Sequence, residues 1–158
     1  MTTPLNPDLL RPSLSNNGQV AAAPYTLQTS FFSAFFGGPF ASAAMLLLNA
    51  RRLGRLQRDL VWALVIAIAF AAWLVFVYTT PSGYELQVKM SEWVGGRSMA
   101  LAERLMALVA FAVNAALHRR EQRSADLFGL KRPNGWIAGI ALIVFGFAAT
   151  VGLTMVVT

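Results

Sequence analysis

Phe35-Phe36-Gly37-Gly38-Pro39, followed ten residues after Pro39 by Asn49-Ala50-Arg51-Arg52-Leu53-Gly54-Arg55, is the stretch whose reading decides the fold. The apolar run that contains it, 31–49, approaches the length needed to cross a hydrocarbon layer of roughly 30 Å. It ends in a basic anchor. Pro39 cannot donate to the carbonyl of Phe35, and its ring crowds the same turn, so a break is expected at mid-depth. Ser33, Gly37 and Ala41 recur at four-residue intervals, as do Ala34, Gly38 and Ser42. Such small-residue stripes let another helix approach closely. The stretch therefore reads as a kinked surface that packs on a neighbouring span. The alternative is a re-entrant or ligand-lining break in which a freed backbone carbonyl has a role.

The rest of the chain supports a membrane setting. Of 158 residues, 56% are hydrophobic and only 13% charged, too apolar a balance for a soluble domain of this size. The net charge of +6 would suggest nucleic acid if the basic residues formed a soluble patch. Instead, nine of the 13 basic residues fall in two short segments, 51–58 and 119–132, wedged between apolar runs. That is the pattern of topogenic charge beside anionic headgroups, with Arg51, Arg52, Arg55, Arg58, Arg119, Arg120 and Arg123 as lipid-facing or orienting residues. No nucleic-acid partner is expected. The absence of cysteine excludes disulfides and thiolate metal sites.

Working outward, residues 1–29 carry four prolines and little charge, and read as a flexible extracytoplasmic tail. Residues 30–158 read as a four-helix transmembrane domain with spans at about 31–49, 60–80, 99–117 and 136–157. The second span has no interior charge and places Trp62 and Tyr78 at its two ends, where amphipathic rings suit the headgroup regions. After the Pro81-Ser82-Gly83 break, Leu86, Met90, Trp93 and Val94 recur at helical spacing opposite Glu85, Lys89 and Glu92, as in a short interfacial helix. The third span is weak, because the uninterrupted apolar run 105–117 has only 13 residues. Topology argues for its crossing, since four crossings bring both basic loops to the cytoplasm and both termini outside. In the fourth span Gly135 and Gly139 form a GxxxG pair suited to helix packing. The expected fold is thus an all-α membrane protein of four transmembrane helices in two hairpins, plus the interfacial helix.

Glu103, Asn114 and His118 fall on or near one face of the third span and form its polar stripe, about 22 Å long at 1.5 Å per residue. Ionisable groups inside a membrane are candidates for proton or cation handling, and structural pairing with Arg97 or Arg104 is the plainer reading. His118 is the sole histidine, so no histidine-rich metal centre is possible, and Ser-His-Asp chemistry would need His118 to meet Asp59 or Asp126 and a serine. No phosphate-loop, dinucleotide or nucleophile-elbow motif occurs. The chain is read as no enzyme, without catalytic residues, metal or cofactor.

The FFGGP stretch and the basic Leu53-Gly54 turn resemble those of a group of small, uncharacterised bacterial multi-pass membrane proteins with an FFGGP-type first helix. The resemblance covers about 25 residues and implies a bacterial, cytoplasmic (inner) membrane location, with no activity attached. The functional expectation is an accessory, assembly or immunity-type protein acting through helix–helix contacts with a membrane-protein partner or itself, within the lipid bilayer. The alternative is a small oligomeric channel or transporter for protons or small cations.

Overall fold

Gly38 adopts φ 75° and ψ −170°, a backbone conformation essentially reserved for glycine, and Pro39 follows it. In this computed structural model, which describes residues 23–157, that one position turns the first long helix back on itself. All regular structure among the described residues is helical: α1 Leu27–Arg52, α2 Leu56–Thr79, α3 Pro81–Val94, α4 Ser98–Leu117, α5 Arg119–Leu127 and α6 Gly135–Val157. Four of these, α1, α2, α4 and α6, are long and apolar enough to cross a membrane. Residues 1–22 of the expected tail lie outside the described residues.

The course of α1 is the main departure from expectation. A straight helix would separate residues 25 and 49 by about 36 Å. Instead Tyr25 N–H donates to Asn49 Oδ1 at 2.9 Å, Arg52 Nε–H donates to the Ala23 carbonyl at 3.0 Å, and the Arg52 guanidinium lies 5.3 Å from the Tyr25 ring centre. The segment 31–49 is therefore not a kinked crossing but part of a helical hairpin. Its first arm is 27–37 and its second 39–52, about 16 and 21 Å long at 1.5 Å per residue. Thr26 starts the first arm as N-cap, its hydroxyl accepting from Thr29 N–H at 3.1 Å.

The hairpin is the core, and three helices surround it. In its most apolar stretch 50% of α1 is buried, against 22% for α2, 17% for α4 and 11% for α6. Along α6, Gly135 and Gly139 lie against Thr29 and Ser33 of the first arm, and a Cβ at Gly146 would meet the Gly37 carbonyl. Leu142 packs with Ala41 and Met45 of the second arm. On α2, Ala63 packs with Ala43 and Leu46, and Phe70 meets Phe40 edge-on at 5.1 Å. Phe111 of α4 meets Phe31 edge-on at 5.5 Å. The small-residue stripes read as docking surfaces are thus turned on one another inside the chain.

These registers place the hairpin tip level with Phe70, Gly146 and Arg104, with α2, α4 and α6 continuing past it. Residues 23–26, the 53–55 turn and α5 share one end of the bundle; α3 and the last turn of α6 lie at the other. The tail is expected opposite the basic loops, but its described end sits beside them, because the reversal at Gly38 returns the chain to its starting side. Four helices of spanning length are present as expected, while their expected arrangement as two hairpins is not seen, because α1 itself doubles back at Gly38.

Smaller differences follow from caps. The short helix α3 starts earlier than expected, with Pro81 in its first turn and the Thr80 hydroxyl accepting from Gly83 N–H at 3.0 Å. A Cβ on Gly83 would lie 2.7 Å from Val77 Cα, so α3 doubles back tightly on the end of α2, and Gln87 Nε2 donates to the Val77 carbonyl. The charged turn between the last two spans contains a helix of its own, α5, which buries just Gln122 and Ala125.

Open space surrounds Gly38, so a Gly38→Ala variant would lose stability through backbone strain alone. The expected loss is about 1–3 kcal/mol in reversible unfolding in detergent, and an unchanged midpoint would count against the reversal.

Candidate functional site

Two groups of polar side chains stand out, one at each end of the hairpin. At the open end, beside the basic loops, Asp59, Asn114 and His118 are all buried. Asp59 lies one turn into α2, while Asn114 and His118 are one turn apart at the end of α4. His118 Nε2 is 3.1 Å from Asp59 Oδ2, and His118 Nδ1 is 2.9 Å from Asn114 Oδ1. Arg58 Nε–H donates to the other Asp59 oxygen at 3.1 Å. With the Asn114 amide in this orientation both ring nitrogens face oxygens and both must carry a proton, while Asn114 Nδ2 has no partner. Turning the amide over brings Nδ2 to Nδ1 and satisfies it, leaving one ring proton to donate to Asp59. The cluster therefore closes around either form of the ring by one amide rotation.

This arrangement supplies the Asp59–His118 meeting that Ser-His-Asp chemistry would need, but the second ring nitrogen faces an amide and not a serine hydroxyl. Its evident work is mechanical. Helices α2 and α4 scarcely touch elsewhere, and the Asp59–His118 contact ties them across the mouth of the hairpin. A second network closes the same mouth: Gln122 Nε2 donates to the Tyr25 carbonyl at 2.7 Å and Arg132 donates to Gln122 Oε1 at 2.6 Å. Arg55 pairs with Glu121. Of the seven arginines read as orienting residues, Arg51, Arg58, Arg119, Arg120 and Arg123 are exposed at this end, while Arg52 and Arg55 are partly buried in these contacts.

The third member of the stripe, Glu103, lies elsewhere. It is separated from Asn114 by Ala107 and Ala110, both buried against the hairpin, so the face does not form a continuous polar path. Glu103 instead lines a cavity of about 340 Å³ just past the hairpin tip, with Phe35, Gly37, Gly38, Arg104, Phe147 and Thr150. Helices α4 and α6 hardly touch; the hairpin holds them apart, and where it stops the gap between them is left open. The Arg104 guanidinium carbon lies over the Phe35 ring, 5.3 Å from its centre. Neither the expected Glu103–Arg104 pair nor a Glu103–Arg97 pair forms: among the described residues Glu103 has no hydrogen bond or ion pair. No group of three or more histidine, aspartate or glutamate side chains is placed to hold a metal among the described residues.

Helical offset brings Glu103, Asn114 and His118 to notice, but Gln122, Tyr25 and Arg132 carry no signal of their own. Their contacts span 97 residues between Tyr25 and Gln122, and depend on the reversal at Gly38. No family model matches the chain, and no curated protein or solved structure matches it either.

Because removing one partner leaves the other buried and uncompensated, Asp59→Ala and His118→Ala are each expected to lower stability by about 3–5 kcal/mol. The double variant should lose clearly less than the sum, measured by the same detergent unfolding; simple additivity would mean that the two side chains do not act together.

Proposed function

We propose that this chain is a multi-pass protein of a bacterial cytoplasmic membrane that binds a small charged ligand from the outer side, in the cleft past the hairpin tip, as a small transporter or membrane-embedded receptor does. The observation that carries the reading is the Glu103–Arg104 cavity: two charges on a membrane-spanning helix, lining one space, with no ion-pair partner among the described residues. Ionisable groups at such depth are costly and mark ligand or ion routes. A broken helix ending at the same place is the common construction of such sites in transport proteins.

The proposed orientation follows from charge. The end that holds residues 23–26 also holds Arg51, Arg58, Arg119, Arg120, Arg123 and Lys131, whereas the far end balances Lys89 and Arg97 against Glu85 and Glu92. Under the positive-inside rule the former is cytoplasmic, so the chain crosses three times, with α1 re-entrant from the cytoplasm, α3 at the outer interface and the end of α6 outside. The natural lack of cysteine makes this simple to check. In intact cells an impermeant maleimide should label Gly96→Cys and spare both Gln28→Cys and Gln57→Cys. Labelling at residue 28 together with 96 would restore a four-crossing topology.

An accessory or assembly role remains a second reading, although the glycine stripes that suggest it are occupied within the chain. It is favoured by an apolar groove of about 370 Å³ between α2 and α4, lined by Trp62, Val65, Leu105 and Val109, on which a partner helix could lie. To separate the two, the purified full chain is heated in detergent with a panel of small charged solutes. A raised unfolding midpoint that disappears in Glu103→Gln supports ligand binding; no shift with any solute, together with a stoichiometric protein partner after gentle extraction, supports the accessory role.

A further inference from the structure

If the cleft past the hairpin tip is a ligand site, its side chains also select the kind of ligand, an inference that rests on that reading. Glu103 and Arg104 are consecutive on α4, so their side chains leave the helix about 100° apart and cannot face each other. Both nevertheless line the same cavity. No ion pair forms between them. Arg104 lies over the Phe35 ring, its guanidinium carbon 5.3 Å from the ring centre, and among the described residues its N–H groups have no acceptor, which leaves them available to an anion. The Phe35 carbonyl, whose helical donor would be residue 39, lacks that donor because residue 39 is proline. Phe35 and Glu103 line the same cavity.

A simple cation in this space would be attracted by Glu103 and repelled by Arg104, and a simple anion the reverse. In a setting of low dielectric neither opposition is negligible. We infer that the cavity takes a zwitterionic group, its ammonium held at Glu103 and its carboxylate or phosphate at Arg104, with any apolar part against the Phe147 and Phe35 rings. A volume of about 340 Å³ fits a ligand the size of an amino acid or a lipid headgroup, not a whole lipid. Two sources offer this chemistry: a free amino acid from the outer solution, or the headgroup of phosphatidylethanolamine entering sideways between α4 and α6.

The test uses the full chain, purified and stripped of lipid. Glycine is added in detergent and the unfolding midpoint followed; separately, the chain is returned to vesicles of phosphatidylethanolamine, phosphatidylcholine or phosphatidylglycerol, re-extracted, and its retained lipid measured by native mass spectrometry. Stabilisation by glycine identifies the free source, and preferential retention of phosphatidylethanolamine over the other two identifies the lipid. Either way, Glu103→Gln and Arg104→Gln should each weaken binding at least tenfold, whereas Glu103→Asp and Arg104→Lys, which keep the charges, should retain most of it and control for folding. Methylammonium or acetate alone should bind at least tenfold more weakly than the zwitterion. If methylammonium binds as tightly as glycine and Arg104→Gln changes nothing, the zwitterion inference is wrong while the ligand-site reading stands. If no probe binds the unaltered chain, both fall.

Discussion

Everything in this fold depends on the left-handed turn at Gly38. A residue with a Cβ pays heavily for φ 75° with ψ −170°, and without that geometry the two arms of α1 would be one continuous rod. The reversal puts the chain's most buried helix at the centre of the bundle, although it is neither the longest apolar run nor the most hydrophobic. Hydropathy does not decide burial: the most buried helix has a mean hydropathy of 1.7, against 2.8 and 2.5 for the more exposed α2 and α6. The greasier α2 and α6 face outward to lipid, and the glycine-, serine- and proline-rich α1 faces protein. That arrangement is what a bilayer demands, because lipid offers apolar side chains as good an environment as a protein core, and only close backbone approach rewards an interior position. Gly37 and Gly146 show the principle at its tightest, with backbone against backbone at the tip.

The second constraint is polar and lies at the hairpin mouth. The two ends of α1 arrive together with backbone groups that need partners: Asn49 of α1 itself accepts from Tyr25 N–H, Gln122 of α5 donates to the Tyr25 carbonyl, and beside them Asp59 of α2 meets His118 at the end of α4. Irregular backbone near a membrane is tolerated where protein surrounds and satisfies it. The mouth is thus held by a polar network, while the tip is the reverse, an apolar turn facing a cavity that contains charge.

How much of this is legible in the sequence differs from residue to residue. The break at Gly37-Gly38-Pro39 is visible there, and a re-entrant break is one of its two readings. The angle is not, since a kink and a full reversal have the same local sequence and differ only in whether Tyr25 meets Asn49, a contact 24 residues apart. Four long apolar helices are visible from hydropathy; that one of them is folded is not a property of hydropathy at all. The stripes at Gly135, Gly139, Ser33 and Gly37 are recognisable as packing surfaces, but small residues do not name their partner, and here each faces the other. Glu103 is found by helical offset, yet the same offset joins it to Asn114 and His118, from which close-packed Ala107 and Ala110 divide it. Helix α5 escapes notice because its nine residues include just two apolar ones, Ala125 and Leu127, too few to be read as a packing face.

The length of α1 has a consequence for how the protein is made. Straightened, its 26 residues would reach about 39 Å, enough to cross a bilayer; folded, its arms are about 16 and 21 Å long. During synthesis α1 emerges before α2, α4 and α6, the helices whose glycines, aromatic rings and polar side chains hold it folded. The contacts that hold α1 folded therefore come from helices that do not yet exist when it is made. In this chain the topology of the beginning is written at the end.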